Sequence, residues 1–277
     1  MNTIGVIGLG IIGSVWARHY AAAGKLAGTW NRTPKADAPM LKSSPGAVVE
    51  ASDVVQIVVA DPAAVEGILN EIAPRLGPGK VVVQSSTIDA ASSAKFAALV
   101  EARGARYLAA PFTGSKPAAE QRQTVFYLGG DKKLIAELEP LLSLVSVKRF
   151  VIGTNEQACT LKLAMNLNIA AQLEGLAEAL TLARRAGVSD AVFFDALSQN
   201  VSYSGVTKLK ELKLRAEDYA PQFSVKHLHK DLRLASRTAA CDDFPVLEAV
   251  REAFKTAEAR GLGDEDISAV IKLLDQG

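Results

Sequence analysis

The feature that most constrains this chain is a glycine-rich turn close to its start. Gly8-Leu9-Gly10-Ile11-Ile12-Gly13 follows the apolar run Ile4 to Ile7 and leads into an alanine-rich, helix-favouring segment that ends near Gly24. In the order strand, turn, helix, such glycines let the chain turn tightly, let backbone approach a pyrophosphate, and place phosphate charge at a helix N-terminus. Glycines also serve ordinary turns, but the flanking strand and helix favour a dinucleotide-binding unit.

Apolar runs alternate with helical patterns through the first half of the chain, which predicts a parallel sheet covered by helices. Two further strand-like runs, Thr124 to Leu128 and Val147 to Ile152, extend this sheet. From about Asn155 onward β-branched runs vanish, and Leu, Ala, Glu and Lys recur at helical spacing. We therefore predict an α/β N-terminal Rossmann domain over residues 1–155 and an all-α domain over residues 156–277. A long interdomain helix, about Glu156 to Ala186, would join them.

The composition favours small molecules as partners. Lys+Arg total 31 and Asp+Glu 30, giving a net charge of +1 and a pI near 7.7, so no surface for nucleic acid or an anionic membrane is indicated. The two cysteines, Cys159 and Cys241, are far apart and suit a reducing compartment. Because no leader-like segment or apolar run of membrane length is present, we expect a soluble, cytoplasmic protein.

The end of the second predicted strand indicates which nucleotide is bound. A chain that prefers NAD places an acidic residue there to accept hydrogen bonds from the ribose hydroxyls. Here the strand ends Thr29-Trp30-Asn31-Arg32-Thr33, without an acid. Arg32 can pair with a 2′-phosphate, and Asn31 and Thr33 can donate hydrogen bonds, which favours NADP(H). The alternative is that Arg32 is a solvated turn residue and either cofactor is used.

Lys162 and Asn166 are candidates for the chemistry. They are four residues apart on the predicted long helix and therefore share one face. One interpretation is that Lys162 is simply exposed to solvent, as most lysines are. The apolar neighbours of Lys162 favour a desolvated ammonium instead, whose lowered pKa would suit proton transfer.

Hydroxyl groups follow two of the predicted strands, where ligands bind in such sheets. Thr87 follows Val81 to Val83 and can contact a cofactor or cap a helix. Thr113, Gly114 and Ser115 follow Tyr107 to Ala109 and can form an anion cradle or a plain turn. The histidines, His19, His227 and His229, lack the spacing of a helical metal site, so we expect no metal.

Together these segments resemble the β-hydroxyacid dehydrogenase family over essentially the whole chain, and within it the glyoxylate and succinic semialdehyde reductases. The matching segments are residues 8–13, 31–33, 86–87, 110–118, 162–166, 226–227, 230–232 and 261–264. The resemblance implies a Rossmann domain followed by a helical domain, an active site in the cleft, and a homodimer.

The resemblance also implies roles for individual residues. Lys162 matches the catalytic lysine, which would protonate the developing alkoxide as the nicotinamide delivers hydride to a carbonyl carbon. The matched substrate positions are Thr113, Gly114, Ser115, Asn166, Phe223 and Asp231. The matched cofactor positions, besides the glycine turn and residues 31–33, are Val59, Ala60, Thr87 and Lys230.

This chain departs from the family pattern at two places. The family's usual segment at 111–115 reads Pro-Val-Ser-Gly followed by Gly or Ser, so Phe112 and Thr113 are unusual and bear on the substrate. The glycine commonly found shortly before the catalytic lysine is replaced, with Ala158 and Cys159 in that stretch. Closer helix packing would be altered there.

The resulting hypothesis is an NADPH-dependent reductase of a small aldehyde or 2-oxo acid, such as glyoxylate or succinic semialdehyde. The alternatives on the same scaffold are an NAD(P)-dependent dehydrogenase of the 3-hydroxyisobutyrate type and an imine reductase, and the presence of Lys162 argues against the latter. A different class is an inert, cofactor-binding interaction module.

Overall fold

The structure is a computed structural model and describes residues 3–238, 241 and 243–274. It divides into two compact units, Met1–Lys162 and Leu163–Gly277, called unit 1 and unit 2 below. The strands of unit 1 are β1 (Ile4–Ile7), β2 (Leu26–Trp30), β3 (Val54–Ile57), β4 (Val81–Gln84), β5 (Arg106–Ala109), β6 (Phe112–Thr113), β7 (Thr124–Gly129) and β8 (Ser146–Gly153). Its helices are α1 (Ile11–Ala22), α2 (Pro45–Ala51), α3 (Pro62–Ile72), α4 (Ala90–Glu101), α5 (Lys116–Glu120) and α6 (Lys132–Leu142).

Within the described residues, these strands form one sheet in the order β2-β1-β3-β4-β5-β7, with β6 and β8 also paired to β7. The strands from β2 to β5 are parallel, as are β7 and β8, whereas β7 runs antiparallel to β5 and β6. The chain leaves β1 for β2 on one side and returns to β3 on the other. Ligands of such sheets bind at this switch point, outside the carboxyl ends of the strands.

The sheet is buried on both faces because its strands are continuously apolar. Val81, Val82 and Val83 are each fully buried and alternate between two hydrophobic clusters. One cluster contains Trp16 and Phe126, and the other contains Phe96. A side-chain period of two in a strand explains this alternation, and burial on both faces is typical of parallel sheets.

Unit 2 is helical. Helix α7 (Asn155–Arg185) begins in unit 1 and continues into unit 2, where it is followed by α8 (Asp190–Ser198), α9 (Gly205–Arg215), α10 (Val225–Ser236) and α11 (Pro245–Ala257). A 3₁₀ helix, Ile267–Leu273, closes the described chain. The predicted architecture is thus confirmed, and the long helix lies within one residue of its predicted range at both ends. Among the described residues, no helix has the length and apolar character needed to cross a membrane.

Candidate active site

The glycine turn lies at the carboxyl end of β1, beside the switch point. Gly8 has φ +99°, and a Cβ there would lie 2.2 Å from Val58 O, so only glycine fits. A Cβ on Gly13 would lie 1.9 Å from Gly8 O, which explains how α1 approaches the turn so closely. A Cβ on Gly10 would meet nothing within 4 Å. The open space at Gly10 and the first N–H groups of α1, which have no acceptor inside the helix, fit a dinucleotide pyrophosphate.

The loop after β3 forms the other side of the switch point. Val59 N–H donates a hydrogen bond to Ser86 Oγ at 2.8 Å, which joins this loop to the segment after β4. Val59 is therefore held next to Ser86, the residue before Thr87. The alternative role of Thr87 as a helix cap is wrong: α4 begins at Ala90, and the Asp89 side chain caps it.

The segment after β2 is attached to the glycine turn. Asn31 Oδ1 accepts a hydrogen bond from Leu9 N–H at 2.9 Å, and Asn31 Nδ2 donates to Thr33 O at 2.7 Å. Asn31 thus has a structural role, while Arg32 and Thr33 are exposed. Lys35 Nζ donates to Ser14 Oγ at 3.4 Å, which places a second cation beside the first turns of α1. Lys35 is not among the residues predicted from sequence. The feature that could have indicated it is a second cationic residue three positions after Arg32.

The predicted substrate loop begins on β6. Thr113 pairs with Val125 of β7, and Gly114 follows with φ +123°, a conformation that favours glycine. Ser115 occupies the cap position of α5, but its hydroxyl does not cap the helix. The side chain of Phe112 packs against the buried cluster that contains Trp16.

Lys162 lies on α7 at the boundary of unit 1 and is only 9% exposed, so the solvated alternative for this lysine is wrong. Nearby, Ala158 and Cys159 are fully buried in the unit 1 core. The family's glycine on this helix is absent here, and close packing between α7 and the sheet depends on a glycine of β7 instead. A Cβ on Gly129 of β7 would lie 2.8 Å from Ala158 Cβ. Burial raises the pKa of Cys159 to about 12, so this thiol is not a nucleophile.

Unit 2 contains a polar cluster on α7 and α10. Asn166 lies one turn after Lys162 on α7 and is 1% exposed. Its Nδ2 donates to Asp231 Oδ2 at 2.6 Å, and Lys230 Nζ lies 2.8 Å from Asp231 Oδ1. The structure therefore brings together three residues predicted from separate parts of the sequence. Phe223 lies just before α10 and is half-buried.

Two cavities of unit 2 lie away from these residues. One, of about 710 Å³, opens near the C-terminal end of α10 and is lined by Arg233, Arg237 and Arg251 among others. The second, of about 550 Å³, lies between α7, α8 and α9. Neither is lined by a predicted site residue.

A sheet of this order with a glycine turn at its switch point defines a dinucleotide-binding protein. Residues 3–153 match the NAD-binding domain of 6-phosphogluconate dehydrogenase. Residues 157–274 match the NAD-binding domain of NADP-dependent 3-hydroxyisobutyrate dehydrogenase.

Individual relatives extend this similarity over the whole chain. The chain is 32% identical to the chloroplastic glyoxylate/succinic semialdehyde reductase 2 of Arabidopsis thaliana, over 98% of this chain and 79% of the relative. It is 30% identical to reductase 1 of the same plant, over 97% of each chain. The crystal structure of 3-hydroxyisobutyrate dehydrogenase from Salmonella typhimurium has a TM-score of 0.88 at 29% identity, covering 99% of this chain and 100% of the other. The chain belongs to the β-hydroxyacid dehydrogenase family and is an NAD(P)-dependent oxidoreductase.

Proposed function

We propose that this protein uses NADPH to reduce a small aldehyde or 2-oxo acid, of the glyoxylate or succinic semialdehyde type, to the hydroxy acid. The observation that carries the proposal is the similarity to two glyoxylate/succinic semialdehyde reductases along nearly the whole chain. The presence of Lys162, of a hydroxyl at Thr113 and of Gly114 and Ser115 supports it. The test is a steady-state panel of aldehydes, 2-oxo acids, 3-hydroxy acids and imines with both cofactors. A higher kcat/KM for any other class than for glyoxylate or succinic semialdehyde would overturn the proposal.

In the proposed reaction Lys162 is the acid. NADPH, when bound, supplies the hydride that adds to the carbonyl carbon. The Lys162 ammonium donates a hydrogen bond to the carbonyl oxygen, stabilises the negative charge that grows there, and transfers its proton to give the hydroxyl. The neutral amine then regains a proton from solvent. Low exposure of Lys162 strengthens these interactions, because little water screens them.

The other proposed site residues orient the substrate. The Thr113 hydroxyl and the N–H groups of Gly114 and Ser115 would bind the substrate carboxylate through charge-assisted hydrogen bonds. Asn166 shares a helix face with Lys162, and its amide is fixed by Asp231 at 2.6 Å. We propose that Asn166 limits the positions that the Lys162 side chain and the substrate can adopt, and that Lys230 and Phe223 complete the site.

We expect Arg32→Ala to lower kcat/KM for NADPH by about 10–100-fold, because a charge-assisted hydrogen bond contributes about 1.5–3 kcal/mol. The value for NADH should stay unchanged, since NADH has no 2′-phosphate. Lys35→Ala should have the same direction of effect, because Lys35 lies beside α1 at Ser14. Initial rates with each cofactor measure both effects.

The control for this prediction is Arg103→Ala. Arg103 is an exposed cation just before β5, at the amino ends of the strands and so away from the glycine turn. Its loss should leave both cofactor values unchanged. A wild-type protein that prefers NADH, or an Arg32→Ala variant that loses NADH activity equally, would contradict the NADP(H) assignment.

A dehydrogenase of the 3-hydroxyisobutyrate type is the second candidate function. The similarity in structure to the Salmonella typhimurium enzyme, with a TM-score of 0.88, favours it. The same scaffold and the same lysine would serve the oxidative direction, in which neutral Lys162 accepts the hydroxyl proton and the oxidised nicotinamide cofactor, when bound, would accept the hydride. Oxidation of 3-hydroxyisobutyrate with a higher kcat/KM than reduction of the aldehydes would favour this reading.

We also propose a homodimer formed through unit 2. Leu182, Val192 and Leu212 are 71%, 60% and 76% exposed, and Val192 lines the cavity between α7, α8 and α9. Such an apolar surface is typical of a protein interface. Sedimentation should give a mass about twice the 29.2 kDa of one chain. Leu212→Glu should shift it to one chain, and Val147→Glu on β8 should not; a monomeric wild type would contradict the proposal.

We propose a cytoplasmic location, for which the cysteines offer support. Cys159 and Cys241 are both free thiols, and Cys159 is fully buried. Free thiols are typical of a reducing compartment. Fractionation of cells that produce the protein tests this proposal.

A further inference from the structure

Phe112 belongs to an aromatic cluster inside unit 1. Its ring centroid lies 4.7 Å from that of Trp16, with the planes at 65°, and 6.3 Å from that of Phe126, with the planes at 67°. Trp16 and Phe126 are fully buried, and their centroids are 5.2 Å apart. The two contacts of the Phe112 ring are edge-to-face, a geometry that aromatic rings prefer. The larger side chain at position 112 therefore packs against the core of unit 1.

The register of β6 connects Phe112 to the proposed substrate loop. Phe112 lies opposite Phe126 of β7, and Thr113 lies opposite Val125. Successive side chains of a strand point to opposite faces. Because the ring of Phe112 is held on the face of Trp16, the hydroxyl of Thr113 is directed to the other face. A shift of β6 by one residue would reverse both side chains.

The other end of the loop is attached to the same helix. At Gly114 an added Cβ would lie 3.2 Å from Ala118 Cβ, so the chain is closely packed where it turns into α5. His19 Nε2 of α1 lies 3.0 Å from Ala119 O, and Arg122 Nε donates to His19 Nδ1 at 3.3 Å. Thus α1, which starts at the glycine turn, holds the segment from Phe112 to Arg122 through Trp16 at one end and His19 at the other.

We propose that Phe112 is a positioning residue for binding of the substrate carboxylate in this chain, because it holds the Thr113-Gly114-Ser115 loop against Trp16. This inference rests on the proposed function, in which that loop binds the carboxylate. Valine, the usual residue of the family at this position, has no ring. In this chain it would leave unfilled the space in which the Phe112 ring packs against Trp16. With the Phe112 ring packed on Trp16, the hydrogen-bond donors of the loop would stay in one arrangement for the substrate.

The test is Phe112→Val, assayed with succinic semialdehyde and with butyraldehyde, which has the same chain length but no carboxylate. We expect KM for succinic semialdehyde to rise about tenfold, while kcat and the KM for butyraldehyde change little, because only carboxylate binding is lost. The Kd for NADPH should be unchanged. Trp16→Leu should reproduce this pattern, because it removes the ring on which Phe112 packs.

Phe96→Val is the matched control, since Phe96 is a buried ring of unit 1 in the other cluster. It should lower the melting temperature without changing the ratio of the two KM values. An unchanged ratio in Phe112→Val would overturn the inference. Calorimetric binding of succinate, which has no carbonyl to reduce, provides a readout independent of turnover. If the wild type reduces no carbonyl compound, the proposed function fails. The succinate measurement still tests the positioning role in that case. A tenfold weaker succinate Kd in Phe112→Val would support that role, and an equal Kd would refute it.

Discussion

Lys162→Ala is expected to lower kcat by about 10²–10⁴-fold, the range typical for loss of a general acid. The physical reason is that the alkoxide formed by hydride addition would then have neither a proton donor nor a cation beside its oxygen. The Kd for NADPH should change little, since the proposed cofactor contacts come from the glycine turn, Arg32 and the loop at Val59. Stopped-flow measurement of NADPH oxidation and a fluorescence titration of NADPH binding separate the two quantities.

A second lysine of unit 1 provides the control. Lys80 Nζ donates to Val49 O and Ser52 O at 2.8 and 2.7 Å, before β4 and therefore at the amino ends of the strands. Lys80→Ala should reduce stability and leave kcat near the wild-type value. A Lys162→Ala variant whose kcat stays within about threefold of wild type on the best substrate would refute the acid role, because general-acid losses are far larger.

The sequence was sufficient to predict the architecture, because the strongest signals are local. Gly8 and Gly13 of the turn each meet a separate steric requirement, and these requirements follow from the strand and helix on either side. The change from β-branched runs to helical spacing near Asn155 coincides with the first residue of α7. The spacing of apolar residues and the positions of glycines are properties of short segments, so they can be interpreted without knowing which distant residues are in contact.

Contacts between distant segments could not be predicted in this way. The direction of the Phe112 side chain depends on Trp16, which is 96 positions earlier in the chain, and on the register between β6 and β7. The amide of Asn31 joins Leu9 to Thr33, a contact that its position after β2 did not indicate. Gly129 makes room for Ala158, but nothing in the sequence around Lys162 indicates that this glycine packs there. Each case depends on which residue is packed opposite, and local pattern does not contain that information.

A buried ion pair in unit 2 is a further feature of this kind, and its removal is the second large effect expected. Lys210 of α9 and Asp266, which precedes the 3₁₀ helix, are 1% and 0% exposed. Lys210 Nζ donates to Asp266 Oδ1 and Oδ2 at 2.7 and 3.0 Å. Asp266 Oδ2 also accepts from Gln222 N–H at 3.0 Å and from Phe223 N–H at 3.4 Å. The pair therefore connects α9 to the segment that carries Phe223 into α10.

Asp266→Asn is expected to lower the free energy of unfolding by about 3–5 kcal/mol, because it leaves the Lys210 ammonium buried without its counter-charge. Chemical denaturation at pH 7 measures the loss. The matched control is Asp264→Asn, which removes the partner of Lys226 in unit 2. Because both side chains of that pair are exposed, the loss of stability there should be much smaller. The double variant Lys210→Met, Asp266→Asn should recover part of the lost stability, since it removes the unpaired charge.

The effect of pH follows from the same geometry. Burial by itself raises the pKa of Asp266, but Lys210 and the N–H groups of Gln222 and Ser268 outweigh it and hold that pKa below its usual value. A carboxyl whose pKa is lower in the folded state stabilises the fold above its unfolded pKa of about 3.9, and this stabilisation is lost as the pH falls through the folded pKa. The gap in unfolding free energy between wild type and Asp266→Asn should therefore be constant near neutral pH and narrow below about pH 4. A gap that is small at pH 7, or that widens on acidification, would show that the ion pair does not stabilise unit 2.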